Sequence, residues 1–241
     1  TRRSSDLIGL VWLAPLMGVI LYFVLGINRI QRKALSLEIR ESWDSKSRRP
    51  LTMHDLDHVK HLAAQHPSLI GLAAVGEKLT ERPLQPGNRV EILVNGDEAY
   101  PRMLQWIDQA QRSVALLSYI FDSGKAGDSF LDALLRAQER GVEVRVLIDG
   151  VGAKYSKPEM LSRLQAAGLR AETFLPTRVP RMFHYANLRN HRKILVVDGH
   201  TGFTGGTNIR DGHWLALSTD APVQCVHFQL QGPVVAHLQE I

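Results

Sequence analysis

Apolar and polar positions divide the chain into three stretches. From Leu7 to Ile27 no charged residue occurs (LIGLVWLAPLMGVILYFVLGI). A helix of that length covers about 30 Å, the thickness of a bilayer's hydrocarbon core. Pro15, Gly9, Gly18 and Gly26 are tolerated in a membrane helix, and Trp12 and Tyr22 suit its interfaces. A cleavable signal would end in small residues, but NRIQRK follows. The expectation is a transmembrane helix over 7–27.

The second stretch, 28–88, is polar and mixed. Asn28 to Arg49 carries Arg29, Arg32, Lys33, Arg40, Lys46, Arg48 and Arg49 against Glu38, Glu41 and Asp44. Only Arg2 and Arg3, against Asp6, precede the apolar run. The positive-inside bias places everything after the helix on the cytoplasmic side, with the basic segment against anionic headgroups. Leu51 to Leu79 reads as a helical linker in pieces around His66-Pro67, and Pro83 to Asn88 as a loop and domain boundary.

The third stretch, 89–241, alternates short apolar runs with amphipathic ones. Arg89–Val94, Ser113–Phe121, Val142–Ile148 and Leu169–Phe174 read as strands. Between them lie helices: from Asp97, as cap, to about Gln111; Asp128–Arg140, stopped by Gly141; and Pro158–Ala167, stopped by Gly168. Ile194–Val197 and Thr201–Thr204 form a strand-turn-strand around Asp198-Gly199. Pro222–Gln231 is a further strand, and a helix starts at Pro233. This alternation predicts an α/β fold with a mixed, largely parallel sheet flanked by helices.

Composition narrows the partners more than the fold. The chain has 241 residues, 44% apolar and 22% charged, as a folded chain does. Its net charge of +5 favours anionic partners. Cys225, the single cysteine, rules out an intrachain disulfide and a cysteine-based metal site, and in VQCVHFQL it reads as an inert buried thiol.

Chemistry concentrates in Asn190 to Asn208 (NHRKILVVDGHTGFTGGTN). Residues two apart on a strand share a face, so His191 and Lys193 project toward one site. A histidine attacks as a nucleophile or moves a proton near neutral pH. Lys193 and the Asn208 amide suit phosphate oxygens. Asp198 is expected to orient or charge an imidazole. Gly205 and Gly206 are expected to let a ligand approach the backbone. This donor set points to transfer at phosphorus with no metal and no cofactor.

Other histidines are weaker candidates. His54, His58 and His61 share a helical face but lack a completing ligand, and read as a wet face. His58-Val59-Lys60 mimics the motif's start but has Gln65 in place of the aspartate. His184 and His213 flank the motif and, with His200, His227 and His237, read as surface or satisfied groups. Arg178, Arg181, Arg189 and Arg192 crowd the approach to His191, either to attract headgroups or as a solvated loop.

The spacing His191-x-Lys193, Asp198, Gly205-Gly206-x-Asn208 resembles the HxKxxxxDxxxxxxGGxN motif of the phospholipase D superfamily, with every fixed position filled. PLMGVILYFVLGINRIQRKA, PGNRVEILVNGDEAYPRML, ALLRAQERGVEVRVLIDGVGAKYS, YANLRNHRKILVVDG and QLQGPVVAHLQ resemble bacterial cardiolipin synthases. The resemblance implies a phospholipase D-like half-domain behind a membrane helix, at the bacterial inner membrane. It implies phosphatidyl transfer from phosphatidylglycerol through a phosphohistidine on His191, with Lys193, Asn208, Gly205 and Gly206 on the phosphate and Asp198 in support. Such enzymes resemble two motif-bearing halves meeting at one site, and usually carry a further membrane helix upstream. This chain has one motif. It therefore reads as the N-terminal portion of a longer synthase, or as a protein whose copies pair about a twofold axis. A phospholipase D-type hydrolase and a catalytically silent lipid-binding half are the competing readings. The membrane helix argues against nucleic acid as partner.

Overall fold

A computed structural model describes residues 60–61, 63–80, 84–176, 189–217 and 220–239. Two compact units divide the chain, 1–49 with 177–189 and 50–176 with 190–241, and the second holds the whole sheet. The expected membrane helix and basic segment lie outside the described residues, as do His54, His58, Arg178, Arg181 and His184. Among the described residues no helix is long and apolar enough to cross a membrane.

The linker contains helix α1 (Pro67–Thr80), which has no buried residue. The domain then runs β1 (Arg89–Val94), α2 (Asn95–Gln109), β2 (Ser113–Ser118), α3 (Lys125–Glu139), β3 (Glu143–Asp149), α4 (Met160–Ala166) and β4 (Arg170–Phe174). β5 (Ile194–Val197), β6 (Thr201–Gly205), β7 (Val226–Gln231) and α5 (Val234–Gln239) complete it. The seven strands form one sheet in the order β1-β7-β6-β5-β2-β3-β4.

The sheet is mixed, as expected, but not largely parallel. Only β2–β3 and β3–β4 pair parallel. β2–β5, β5–β6, β6–β7 and β1–β7 are antiparallel. The crossovers through α3 and α4 enforce parallel pairing in one half. The short turn at Asp198-Gly199 makes β5 and β6 a hairpin, and antiparallel strands need no crossover helix. β1 joins β7 rather than β2, a pairing with no local signature.

Alternation along the strands feeds two cores. Val114, Leu116, Val146, Ile148, Leu195 and Phe203 pack with Tyr100, Met103, Ile107, Phe130 and Leu134 of α2 and α3. On the other face Leu117, Ile194 and Val196 meet Val235 of α5, with Leu238 packed against them.

Two charged residues at the start of α2 exchange the roles the sequence suggests. Asp97 does not cap its helix; its carboxylate accepts the Leu215 and Ala216 amides at 2.9 and 2.8 Å. Glu98 instead accepts the amide of the cap residue Val94 at 2.7 Å. An acceptor near a helix start satisfies an amide that has no partner within the helix. Asp97 thereby ties the segment after the motif to α2.

Candidate active site

Parallel strands β2 and β3 end on the same edge of the sheet. β5, antiparallel to β2, begins there, with Ile194 opposite Leu117. A crevice at the carboxyl ends of parallel strands, where the strand order changes direction, is the usual ligand position in open α/β sheets. His191 and Lys193 enter β5 at this place.

Their side chains converge as the spacing predicts. The Lys193 ammonium lies 3.1 Å from His191 Nδ1 and donates to the His191 carbonyl at 2.7 Å. An ammonium can only donate, so Nδ1 accepts in this arrangement. Tyr119, just past β2, lies against the imidazole at a centroid distance of 4.4 Å, and the Lys193 Nζ sits 5.2 Å from the same ring. His191 is exposed and Lys193 is buried. Burial, then the Lys193 charge, lower the imidazole's pKa, while Asp149 works to raise it. Burial pushes the Lys193 ammonium down to about 8. At neutral pH this pairs a mostly neutral, reachable imidazole with a cation held out of bulk water, where its field is less screened.

Asn208 arrives from the end of β6. Its Oδ1 accepts the Ile120 amide at 3.2 Å, leaving its NH₂ as the donor end. Its carbonyl takes the hydroxyl of Tyr100, which also accepts the Arg210 amide at 3.3 Å. Tyr100 is fully buried, edge-on to Phe130 and Trp214, and burial pushes its phenol well above its usual range. The adjacent Ile209 bridges in parallel to Phe121, so the strand holds Asn208 at its backbone as well.

Gly205 meets a structural demand. With φ of +150°, a Cβ there would lie 2.7 Å from both the Val226 carbonyl oxygen and His227 Cα. It is bare because β7 crosses close by. Behind Gly205 and Gly206 sits a cluster that sequence reasoning did not assemble. Cys225 Sγ lies 3.2 Å from His213 Nδ1 and 3.1 Å from Thr207 Oγ1. His213 and His227 are both buried, not surface groups. Burial pushes each imidazole down to about 4, with Arg210 and Lys193 adding to this at His213, and His213 and Lys193 at His227.

Asp198 lies elsewhere. It follows β5 whereas His191 precedes it, seven residues or roughly 20 Å away along an extended chain. At φ of +54°, its carboxylate accepts the Gln111, Arg112 and Ser113 amides at 2.7–3.2 Å. Burial works to raise its pKa, but the Ser113, Gln111 and Arg112 amides, with a smaller contribution from His200, hold it below the usual range. Asp198→Ala should therefore act first on stability, costing about 1–3 kcal/mol as three amides lose their acceptor. A lowered folded-state pKa means this stabilisation is complete above the ordinary carboxylate range. It fades as the pH falls through the folded value. Urea unfolding of the wild type and Asp198→Ala at pH 7 and at pH 3 measures both statements; the gap between the proteins should narrow at the lower pH.

Sequence reasoning also passed over Asp149 and Tyr119. Both terminate or follow a parallel strand at the crevice. That position, rather than any motif, was the available signal. Among the described residues no group of three His, Cys, Asp or Glu side chains is arranged to hold a metal ion.

Fold and site together define a phospholipase D-like domain. The family described as "Cardiolipin synthase, PLD-like domain" matches residues 103–238, more than half of the chain, and the chain belongs to that family. Cardiolipin synthase 1 of Bacillus anthracis is 33% identical over 230 residues, covering 95% of this chain and 45% of that protein. The major cardiolipin synthase of Bacillus subtilis is 28% identical over 237 residues, 93% of this chain and 47% of its own. The chain thus spans just under half the length of these relatives. Among solved structures, Nuc of Salmonella typhimurium, a phospholipase D family member, aligns with a TM-score of 0.48 at 21% identity, over 63% of this chain and 88% of its own.

Proposed function

We propose that this chain is one catalytic half of a phosphatidyltransferase that makes cardiolipin from phosphatidylglycerol. The observation that carries the reading is the pairing of an exposed His191 with a buried Lys193 beside Asn208, in a chain of this family. The His191 imidazole attacks the phosphorus of one phosphatidylglycerol, and the bond from phosphorus to the headgroup oxygen breaks. Glycerol leaves with a proton from an acid on a second motif-bearing half, in a longer chain or a paired copy. That group, now a base, takes the proton from the hydroxyl of a second phosphatidylglycerol. The resulting oxygen attacks phosphorus, cardiolipin forms and His191 is released. Splitting the displacement in two is the benefit of a covalent intermediate. Lys193 and the Asn208 amide hold the phosphate oxygens and offset charge that develops on them. An arriving phosphate oxygen also competes for the Lys193 ammonium, freeing the ring nitrogen it now occupies. In this reading Leu7–Ile27 anchors the chain in the inner membrane with its catalytic part cytoplasmic, beside its anionic substrate.

Hydrolysis is the second reading. The solvent exposure of His191 favours it, since water can replace the lipid alcohol as acceptor. One experiment addresses both. Phosphatidylglycerol labelled in its phosphatidyl part is mixed with the assembled enzyme, quenched in alkali and digested. The expected result is a phosphatidyl adduct on the His191 peptide, with label passing to cardiolipin in excess of phosphatidic acid. Label reaching chiefly phosphatidic acid would select the hydrolase. An adduct on another residue would overturn the assignment of His191.

A further inference from the structure

Asp149 closes β3 and is fully buried. Its Oδ1 accepts the amides of Val151 at 2.8 Å and Gly152 at 3.3 Å, which shapes the turn leaving the strand. Its Oδ2 reaches 41 residues along the chain to accept the Asn190 amide at 3.0 Å. Asn190 immediately precedes His191. Its own Oδ1 accepts the Arg192 amide at 3.2 Å, so hydrogen bonds brace the backbone on both sides of the imidazole. Both oxygens of Asp149 act as acceptors, a pattern a carboxamide cannot reproduce because it offers only one acceptor atom. A turn alone needs only one. Burying a carboxylate is costly, and its placement behind a reacting histidine is a use for the charge that the turn does not supply.

We propose that Asp149 is a positioning residue for His191: its buried carboxylate fixes the loop that presents the imidazole and supplies a counter-charge to the Lys193 ammonium. This rests on the reading of His191 as the reacting group. Among the described residues, the titratable side chains that bear on His191 are Lys193 from its own segment, Tyr119 from the end of β2 and Asp149 from the end of β3. Of these, Asp149 alone opposes the effects of burial and of Lys193 on the ring.

The test does not depend on turnover. The full chain and Asp149→Asn are treated with diethyl pyrocarbonate across pH 4.5 to 8.5. The modification rate of each histidine is then read by peptide mass spectrometry. His191 is exposed and so reachable. In Asp149→Asn the midpoint at His191 should move to lower pH by about half a unit or more, because a negative charge has been removed. The midpoint at His200, which lies at the far end of β5, should stay in place and reports on the fold. An unmoved His191 midpoint in a folded variant overturns the proposal. If Asp149→Asn fails to fold, wild-type amide exchange decides: the Asn190 amide should exchange at least about 100-fold more slowly than an unbonded loop amide. Free exchange there overturns the proposal as well. Because neither readout uses lipid, the positioning role can fail while phosphatidyl transfer stands, and the reverse.

Discussion

His191→Ala is expected to abolish phosphatidyl transfer in the assembled enzyme, a loss of about 10⁴-fold or more, as when the nucleophile of a covalent mechanism is deleted. The argument is one of position and supply. His191 is an exposed imidazole at the crevice, and its pKa is lowered by burial and by Lys193, so it is neutral and able to attack near pH 7. No neighbour can take over. The Lys193 amine is buried and mostly protonated, and Cys225 Sγ is turned to His213 and Thr207 behind Gly206. Because His191 is exposed, its removal should barely change stability, so the variant can be compared with wild type at equal folded fraction. The measurement is labelled cardiolipin formed per unit time, with an unfolding curve beside it. Turnover near wild type would place the nucleophile on the other half, and a hundredfold residual rate would make His191 an acid or base rather than the attacking atom.

The sequence carried the site's nucleus better than its surroundings. His191, Lys193 and Asn208 were legible because fixed spacing across a strand and a hairpin converts directly into geometry. Asp198 belongs to the same spacing, yet the turn that makes the hairpin also carries it to the far end of β5. Asp149 and Tyr119 are brought in by β3 and β2, and such long-range packing leaves no local pattern. His213 and His227 looked like surface groups because burial depends on the glycine-lined crossing of β6 and β7, where Gly205 leaves the space that His227 fills. The helices and most strands were legible from periodicity and glycine stops. The polarity of the sheet was not, since alternation of strands and helices indicates parallel crossovers and says nothing about β1 closing on β7.

As a monomer, the chain alone should show almost no transferase activity, and activity should rise with protein concentration as copies pair. The two-step mechanism needs a nucleophile and a separate proton carrier. The two other histidines near Lys193 cannot serve as that carrier: with pKa values of about 4, roughly one in a thousand of either is protonated at pH 7. His200 sits at the Asp198 turn, at the opposite end of β5, with its Nδ1 3.3 Å from the Val197 carbonyl. A second copy related by a twofold axis can supply the missing group, because a closed interface of that kind brings equivalent residues together. The molecule also has a surface suited to association. Val90, Ile92 and Val94 on the edge strand β1 are 58, 62 and 48% exposed, and Val226 beside them on β7 is 43% exposed. An unpaired apolar edge invites pairing with another chain. The measurement is phosphatidylglycerol turnover in detergent across a hundredfold range of protein concentration, with light scattering on each sample. Specific activity should follow the dimer fraction and approach zero where monomer dominates. Activity independent of concentration in a proven monomer would mean that a single crevice holds both nucleophile and acid, and the two-half account would be lost.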